Sequence, residues 1–357
     1  MHSMRAESQK GKSGHSRKWD FLAETKKGAV GKMKEQTILL WEDGEYQYEG
    51  AFGFVPNLHT YLHEDGKRRP CMLVAPGGGY RMVSPTEGEI VAKCFYEKGY
   101  QAFVLTYTTN LADVAPLKMQ PLHDISRAVR LIRANADSYG VDVDKIYACG
   151  FSAAGHLVGS LCVHAGDVED GNEKYKGISN RLNAAILSYP VVTSGEFAHR
   201  DSFTALLGAD ASEEELTYFS NEKQVTEQTP PVFLWQTIPD ETVPVENSIL
   251  MAKALREHGI HFAIHLFETG RHGLSLANEE WAENGNAAGI YAMDQFFAII
   301  KAVEEGKLEL TEDKKMMLQF FQMPEEERAK YIPKGIPNES VAMWPHLADC
   351  WLRNLPE

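Results

Sequence analysis

The segment at 150–156, Gly-Phe-Ser-Ala-Ala-Gly-His, could supply a nucleophile. It follows a short apolar run and precedes a stretch rich in alanine and leucine, which predicts a sharp turn from a strand into a helix. Such a turn exposes a serine hydroxyl, here that of Ser152, above a sheet, as in the G-x-S-x-G motif. Ala154 departs from that motif, with the glycine one position later. Taken alone, the segment leaves an ordinary strand-to-helix turn open, and we expect His156 to pack within the helix.

A glycine-rich segment could stabilise negative charge on a substrate oxygen. Residues 76–80, Pro-Gly-Gly-Gly-Tyr, follow another buried apolar run. Consecutive glycines let backbone N–H groups point at an oxyanion. We expect Ala153 and Gly78 or Gly79 to provide those N–H groups. A phosphate-binding loop is the alternative, but neither GxGxxG nor GxxxxGK[ST] is present.

Two later loops hold a carboxylate and a histidine. Asp240 lies in Pro-Asp-Glu-Thr-Val-Pro at 239–244, and His272 lies in Gly-Arg-His-Gly at 270–273. A carboxylate that orients a histidine, which in turn accepts a serine proton, forms a catalytic triad. Glu241 competes for the role of the acid, and Asp240 could instead cap the next helix. We favour Asp240 because it stands closer to the end of the preceding strand.

The elements that must position these loops alternate between strands and helices. Apolar runs predict strands at 38–41, 71–75, 101–107, 145–149, 184–189, 232–236 and 261–267. Periodic apolar residues predict helices at 87–98, 122–139, 153–164, 245–258 and 287–305. Strands without polar alternation indicate a mostly parallel sheet covered by helices on both faces, an α/β fold. Each loop follows a predicted strand, and the order Ser152, Asp240, His272 is that of an α/β-hydrolase triad.

The pattern predicts one α/β domain over 37–357, preceded by a tail at 1–36. The tail begins with a polar, basic stretch that lacks the apolar core of a signal peptide, and we expect it to be partly disordered or a start-site artefact. Residues 303–342 look like an insertion with helices at 312–322 and 325–331. This insertion is either a surface appendage or a lid or oligomer contact.

Composition and charge exclude several classes of protein. The net charge of −14, from 36 Lys and Arg against 50 Asp and Glu, opposes nucleic-acid binding. The sequence has no run of about 18 apolar residues, so we predict no membrane-spanning helix. The five cysteines are scattered and form no CxxC pair, which favours reduced thiols in a cytoplasmic protein. A homodimer stays open.

Together these segments resemble α/β-hydrolase-fold acetyl esterases of the acetyl xylan esterase and feruloyl-esterase-like group. The resemblance extends from about Leu40 to His272 and returns at Trp344 and Trp351. It is carried by 76–80, Tyr107, 116–117, Asp124, 128–130, 150–156, 188–191, 230–235, 243–248 and 270–273. It implies a serine esterase that removes acetyl groups from xylan-type oligosaccharides and needs no metal or organic cofactor. Ser152 would be the nucleophile, His272 the base and Asp240 its orienting acid.

The substrate stays open in part. We expect a small acetylated carbohydrate, with Tyr80 as a substrate-binding residue in an aromatic platform that Trp235 and Trp281 could extend, although packing in the core is favoured for Trp235. A short oligosaccharide is favoured over a polymer because no signal peptide is seen. A general carboxylesterase or a peptidase of the same fold is the alternative, followed by a catalytically silent binding protein. A cysteine nucleophile has little support because Cys149 should be buried in its strand.

Overall fold

The centre of this computed structural model is a twisted sheet. Of the 357 residues, the structure describes 33–284, 293–324, 327, 330–331 and 334–356. The strands are β1 (Met33–Lys34), β2 (Thr37–Leu39), β3 (Asn57–His63), β4 (Arg69–Ala75), β5 (Gln101–Thr106), β6 (Val141–Phe151), β7 (Ala184–Ser188), β8 (Val232–Thr237) and β9 (Phe262–Phe267). Their order is β1-β3-β5-β4-β6-β7-β8-β9, with β2 also paired to β3. Within the sheet, the neighbouring strands β5, β4, β6, β7, β8 and β9 all pair in parallel. The pairs that involve β3 are antiparallel.

Helices cover both faces of this sheet. They are α1 (Glu89–Glu97), α2 (Gln120–Ala134), α3 (Ala136–Tyr139), α4 (Ala153–His164), α5 (Arg200–Leu207), α6 (Glu213–Tyr218), α7 (Glu246–Glu257), α8 (Glu279–Asn284), α9 (Asp294–Glu304), α10 (Glu312–Gln322) and α11 (Trp344–Arg353). Successive strand side chains point to opposite faces, so Leu73 packs with α2, α4 and α7 while Met72 and Val74 pack with α1 and α11. The predicted α/β class is confirmed.

The predicted elements that surround the site agree with the structure. All seven predicted strands are present within a few residues, and α4 begins and ends where the apolar pattern predicts. The helix predicted at 122–139 divides at Asn135 into α2 and α3, because the backbone of Asn135 leaves the helical conformation there. The strand ends that carry the candidate residues are therefore those that the sequence predicts.

Two strands were not predicted. Strand β3 is largely buried between β5 and the edge strands although it contains Asn57 and Thr60, whose polarity hides the apolar pattern on which the prediction depended. Strand β1 pairs Met33 with His63, so the sheet begins inside the stretch that the sequence assigns to the tail. Residues 1–32 of that stretch lie outside the described residues.

A helical excursion leaves the main body after α8 and returns at Gly335. The Gly335 N–H donates to the Ala282 carbonyl (3.2 Å), so the two ends of the excursion meet. Between them, α9 and α10 share an apolar cluster of their own with Leu111 and Met82. The excursion is thus longer than the insertion predicted at 303–342 and includes α9. The start of the helix predicted at 287–305 and most of the one predicted at 325–331 lie outside the described residues.

Candidate active site

The turn between β6 and α4 presents the Ser152 hydroxyl. Ser152 has φ 52° and ψ −120°, a strained conformation for a residue with a side chain. The surrounding backbone holds it there, because its N–H donates to the Ser188 carbonyl (3.0 Å) and its carbonyl accepts from the Val191 N–H (3.1 Å). Its side chain stays partly accessible, with 7% of the residue exposed. The turn therefore has the geometry of a nucleophile elbow.

The departure from G-x-S-x-G leaves this turn intact. A Cβ on Gly150 would lie 2.2 Å from the Ala154 carbonyl oxygen, so position 150 admits only glycine. A Cβ on Gly155 would lie 2.8 Å from Pro190, where α4 passes the end of β7. The Ala154 methyl is buried without such a clash. The close approach that requires a glycine thus falls at 155 in this chain.

Three predicted side chains form a hydrogen-bonded row. His272 Nε2 lies 2.9 Å from Ser152 Oγ, and His272 Nδ1 lies 2.7 Å from Asp240 Oδ2. Since the carboxylate can only accept, Nδ1 carries the proton and Nε2 accepts from the serine hydroxyl. The Asp240 side chain is fully buried, whereas His272 is 17% exposed. Glu241, the competing acid, is exposed to solvent and has no part in the row.

Backbone and side chains of β8 and α7 fix Asp240. Its second oxygen accepts from the N–H groups of Thr242 and Val243, both at 3.0 Å. Gln236 donates to the Val243 carbonyl (2.6 Å) and accepts from Ser248 Oγ (2.6 Å), which holds the loop in place. Sequence reasoning missed Gln236 and Ser248, because polar residues inside an apolar strand or helix carry no motif.

The glycine segment lies directly against Ser152. A Cβ on Gly77 would lie 3.0 Å from the Ser152 Cβ and 2.5 Å from the Phe151 carbonyl oxygen. Gly78 and Gly79 have φ 125° and φ 64°, conformations that favour glycine. Within the described residues no acceptor takes the N–H of Gly78 or Gly79. These two N–H groups, which follow Gly77 along the chain, are therefore free to bind an anionic oxygen.

Ala153 adds a third N–H group. It is the first residue of α4, where intrahelical bonds leave the N–H unpaired. No acceptor in the described part of the chain takes this N–H either. The partial positive charge at the start of α4 acts in the same direction. The three predicted oxyanion-hole residues thus lie together beside the nucleophile, and their role stays a proposal.

A buried carboxylate joins the glycine segment to the histidine side of the site. Glu87 accepts from the Gly77 N–H (2.7 Å) and from the Tyr189 hydroxyl (2.7 Å). The Tyr189 ring packs edge-on against the His272 ring, with centroids 4.9 Å apart. Burial raises the pKa of Glu87, and the bonds from Tyr189 and Gly77 oppose that shift. Sequence reasoning missed Glu87 because an acid at a helix start usually interacts with the helix dipole.

Tyr80 lies in the core beside the glycine segment. It is 1% exposed, and its hydroxyl donates to His156 Nδ1 (2.8 Å). His156 Nε2 donates to the Phe219 carbonyl (2.7 Å), so the imidazole is neutral and both of its nitrogens are occupied. Burial lowers the pKa of His156 to about 4. Tyr80, predicted as a substrate-binding residue, is therefore buried and already bonded in this structure, while the packing predicted for His156 is confirmed.

The other two aromatic side chains of the expected platform are also buried. Trp235 is fully buried and stacks on Trp344, with centroids 5.2 Å apart. Trp281 is 6% exposed and lies under Gly335. A sugar cannot stack on either ring in this structure. Cys149 is buried in β6, as expected, and burial raises the pKa of its thiol.

The chain that returns from the excursion holds the loop that carries His272. Asn338 Nδ2 lies within hydrogen-bonding distance of the Thr269 carbonyl (3.1 Å), and the Asn338 N–H donates to the Ala277 carbonyl (2.8 Å). One residue thus ties both ends of the histidine loop. Sequence reasoning missed Asn338, since it lies inside the segment predicted as an insertion.

Comparison with known proteins assigns the family. The family model described as BD-FAE matches residues 58–255, more than half of the chain. The chain belongs to the BD-FAE family. The match includes Ser152 and Asp240 and ends before His272, so it covers the chain from β3 to α7.

Relatives of this BD-FAE chain are hydrolases and esterases. It is 54% identical to endo-1,4-beta-xylanase B of Butyrivibrio fibrisolvens over 72% of this chain and 40% of that protein. It is 28% identical to an acetylxylan esterase of Xylanibacter ruminicola over 68% of this chain and 46% of that protein. The crystal structure of an acetyl ester-xyloside bifunctional hydrolase from Caldicellulosiruptor lactoaceticus matches 79% of this chain and 100% of its own, with 34% identity and a TM-score of 0.64.

These relatives confirm the resemblance to α/β-hydrolase-fold esterases of the xylan esterase group, and they support the class of carboxylic ester hydrolases, which stays a proposal. The BD-FAE chain spans less than half of the length of the two curated relatives. No described helix is long and apolar enough to cross a bilayer. No group of three or more His, Cys, Asp or Glu side chains in the described part could hold a metal ion. The absence of a cofactor and the cytoplasmic location stay predictions.

Proposed function

We propose that this chain is a serine esterase that removes acetyl groups from xylan-type oligosaccharides through an acyl-enzyme. The observation that carries this proposal is the row Ser152, His272 and Asp240, with separations of 2.9 and 2.7 Å, beside unpaired N–H groups. A nucleophile, its base and the group that orients the base are the parts that acyl transfer requires.

Ser152 Oγ attacks the acetyl carbonyl carbon while His272 Nε2 accepts the hydroxyl proton. Asp240 holds the imidazole in the tautomer that leaves Nε2 free to accept, and it stabilises the imidazolium that forms. His272 then donates the proton to the sugar oxygen, which leaves as a hydroxyl group. The product of this half-reaction is an acetyl ester of Ser152.

Water completes the cycle. His272 accepts one proton from water, whose oxygen attacks the acetyl-serine, and this proton then passes to Ser152 Oγ as acetic acid leaves and ionises to acetate. In both halves the carbonyl oxygen becomes negative and binds the N–H groups of Ala153 and of Gly78 or Gly79. Loss of one such donor costs about 3–4 kcal/mol of transition-state stabilisation.

The names of the relatives support the substrate class. One is named an acetylxylan esterase, and another is titled an acetyl ester-xyloside bifunctional hydrolase. One observation favours a general carboxylesterase instead, namely the burial of Tyr80, Trp235 and Trp281, which leaves none of the three for sugar stacking.

Acetate release from acetylated xylo-oligosaccharides tests the proposal, with Ser152→Ala measured beside the unaltered protein. We expect release by the unaltered protein and a loss of at least about 10³-fold in the variant, because the nucleophile is gone. The variant should fold, since alanine removes only the hydroxyl. Cleavage of 4-nitrophenyl acetate that depends on Ser152, without acetate release from the sugar, would support the general carboxylesterase.

A further inference from the structure

The rim of the site carries polar groups that the mechanism does not use. His199 and Asp201 lie at the start of α5, and Arg81 follows the glycine segment. Asp201 Oδ2 lies 3.8 Å from the position that a Cβ would take on Gly79. Asp201 therefore stands next to the proposed oxyanion hole, with its side chain 59% exposed to solvent.

His199 lies at the same edge of the site as Asp201. Its Nδ1 binds Ser202 Oγ, and Ser202 Oγ lies 3.9 Å from the position that a Cβ would take on Gly79. Burial lowers the pKa of His199, and the charge of Asp201 opposes that shift. His199 and Asp201 are therefore both placed beside the glycine segment.

Both His199 and Asp201 have capacity for further hydrogen bonds. His199 Nδ1 is bonded to Ser202 Oγ (2.8 Å), and Nε2 has no partner among the described residues. Asp201 is acceptor-only, and each carboxylate oxygen can accept more than one hydrogen bond. Neighbouring hydroxyl groups of a sugar offer the donors that such oxygens need.

Arg81 holds Asp201 in place. Its guanidinium donates to Asp201 Oδ1 (2.9 Å) and to the Asn110 carbonyl (3.2 Å), and it also pairs with Asp113. Lys314 of α10 binds Asp113 from the excursion. The carboxylate of Asp201 is thus fixed before a ligand arrives, which lowers the ordering cost of binding.

We propose that His199 and Asp201, the latter oriented by Arg81, form a subsite beside the glycine segment that binds hydroxyl groups of the sugar. This inference rests on the proposed function. It also accounts for sugar recognition in a site where Tyr80 and Trp281 are buried. The excursion contributes through Lys314, which pairs with Asp113, and Asp113 in turn accepts from the Arg81 guanidinium.

The test is the ratio of kcat/KM for an acetylated xylo-oligosaccharide to kcat/KM for 4-nitrophenyl acetate, which has no sugar hydroxyl. Asp201→Asn should lower this ratio by roughly 10- to 100-fold, the usual effect of one hydrogen bond to a charged group, with most of the change in KM for the sugar. His199→Ala should lower it in the same direction. Asp210→Asn, the same change at an exposed residue beyond α5, is the matched control.

A ratio that is unchanged in both variants, or an equal loss for the two substrates, overturns the subsite. An unaltered protein that cleaves 4-nitrophenyl acetate but not the sugar ester overturns it as well. Cleavage of neither ester, or cleavage that persists in Ser152→Ala, is instead the failure of the proposed function. Far-ultraviolet circular dichroism and thermal unfolding of each variant show whether a lost ratio comes with a lost fold.

Discussion

Helices α4 and α10 both lie near the candidate active site and are held in opposite ways. In α4, eleven of twelve residues are buried, and the helix packs against β6 and β7. In α10 only Leu318 is buried among the side chains that the structure describes, and a small cluster with α9 supports it. The proposed chemistry is thus built on the central sheet, whereas the excursion adds polar contacts at the rim.

This difference teaches where change is tolerated. Burial of apolar surface gives about 25 cal/mol per Å², so α4 is stabilised along its whole length. Exposed ion pairs such as Lys314–Asp113 contribute little each. Substitutions in the α4 region should therefore lower both the stability of the fold and the rate of turnover. Substitutions in α10 should instead change the polar contacts at the rim of the site and the local opening of that helix.

The largest expected effect is the loss of stability at acidic pH that follows from the burial of His156. Because the pKa of His156 is lowered to about 4 in the folded state, the unfolded chain binds more protons between that pH and about 6.5. The contribution of neutral His156 to the free energy of unfolding is complete above about pH 6.5. It falls by about 3 kcal/mol as the pH drops through 4. Burial raises the pKa of Asp124 to about 6, which has the opposite effect in this range, so the contribution of His156 is measured by urea unfolding as the difference in slope between the unaltered protein and a variant.

His156→Gln should reduce the slope of the unfolding free energy between pH 6.5 and 4, because no imidazole is left to titrate. The amide can still accept from Tyr80 and donate to the Phe219 carbonyl, which keeps the packing. Equal slopes for the variant and the unaltered protein would contradict the role assigned to burial.

The next effect concerns Glu87, which we expect to act as a positioning residue for the glycine segment. In Glu87→Gln the amide NH2 group faces one of the two donors that Glu87 binds, either the Gly77 N–H or the Tyr189 hydroxyl. Because two donors cannot bond to each other, the glycine segment should shift and displace the oxyanion N–H groups. We expect kcat for 4-nitrophenyl acetate to fall about 10- to 100-fold, less than the full loss of a donor, with KM changed by less than about threefold.

Glu89→Gln is the matched control, because Glu89 lies two residues further along and pairs with Lys93 at the surface. It should leave kcat unaltered. The positioning role is wrong if both variants lose activity equally, or if Glu87→Gln changes only the unfolding temperature.

The smallest effect is expected in the excursion. Lys314→Met keeps the apolar stem and removes the ion pair with Asp113, so the global free energy of unfolding should change by less than about 1 kcal/mol. Hydrogen exchange of the α10 amides should be faster than that of α4 in both proteins and should rise further in the variant. Lys315→Met, which removes the pair with Glu312, is the control. A loss of several kcal/mol in the global free energy of unfolding of Lys314→Met would contradict the contrast between α4 and α10.

The sequence by itself determined the α/β class, the seven strands that carry or flank the loops, and the loops that hold Ser152, Asp240 and His272. These features are local: continuous apolar runs specify buried strands, and glycines specify turns. Strand β3 escaped because polar residues in its pattern are paired and buried only in the folded sheet.

Tertiary structure alone decided which polar and aromatic side chains near the candidate site are buried and which are accessible. Tyr80 points into the core because its hydroxyl donates a hydrogen bond to His156, which is 76 residues away in the sequence. Glu87 likewise accepts a hydrogen bond from the hydroxyl of Tyr189, which is 102 residues away. The ends of the excursion are likewise identified only in the folded structure, where the Gly335 N–H donates to the Ala282 carbonyl. A pairing between distant residues leaves no spacing in the sequence, since its geometry exists only after the chain has packed.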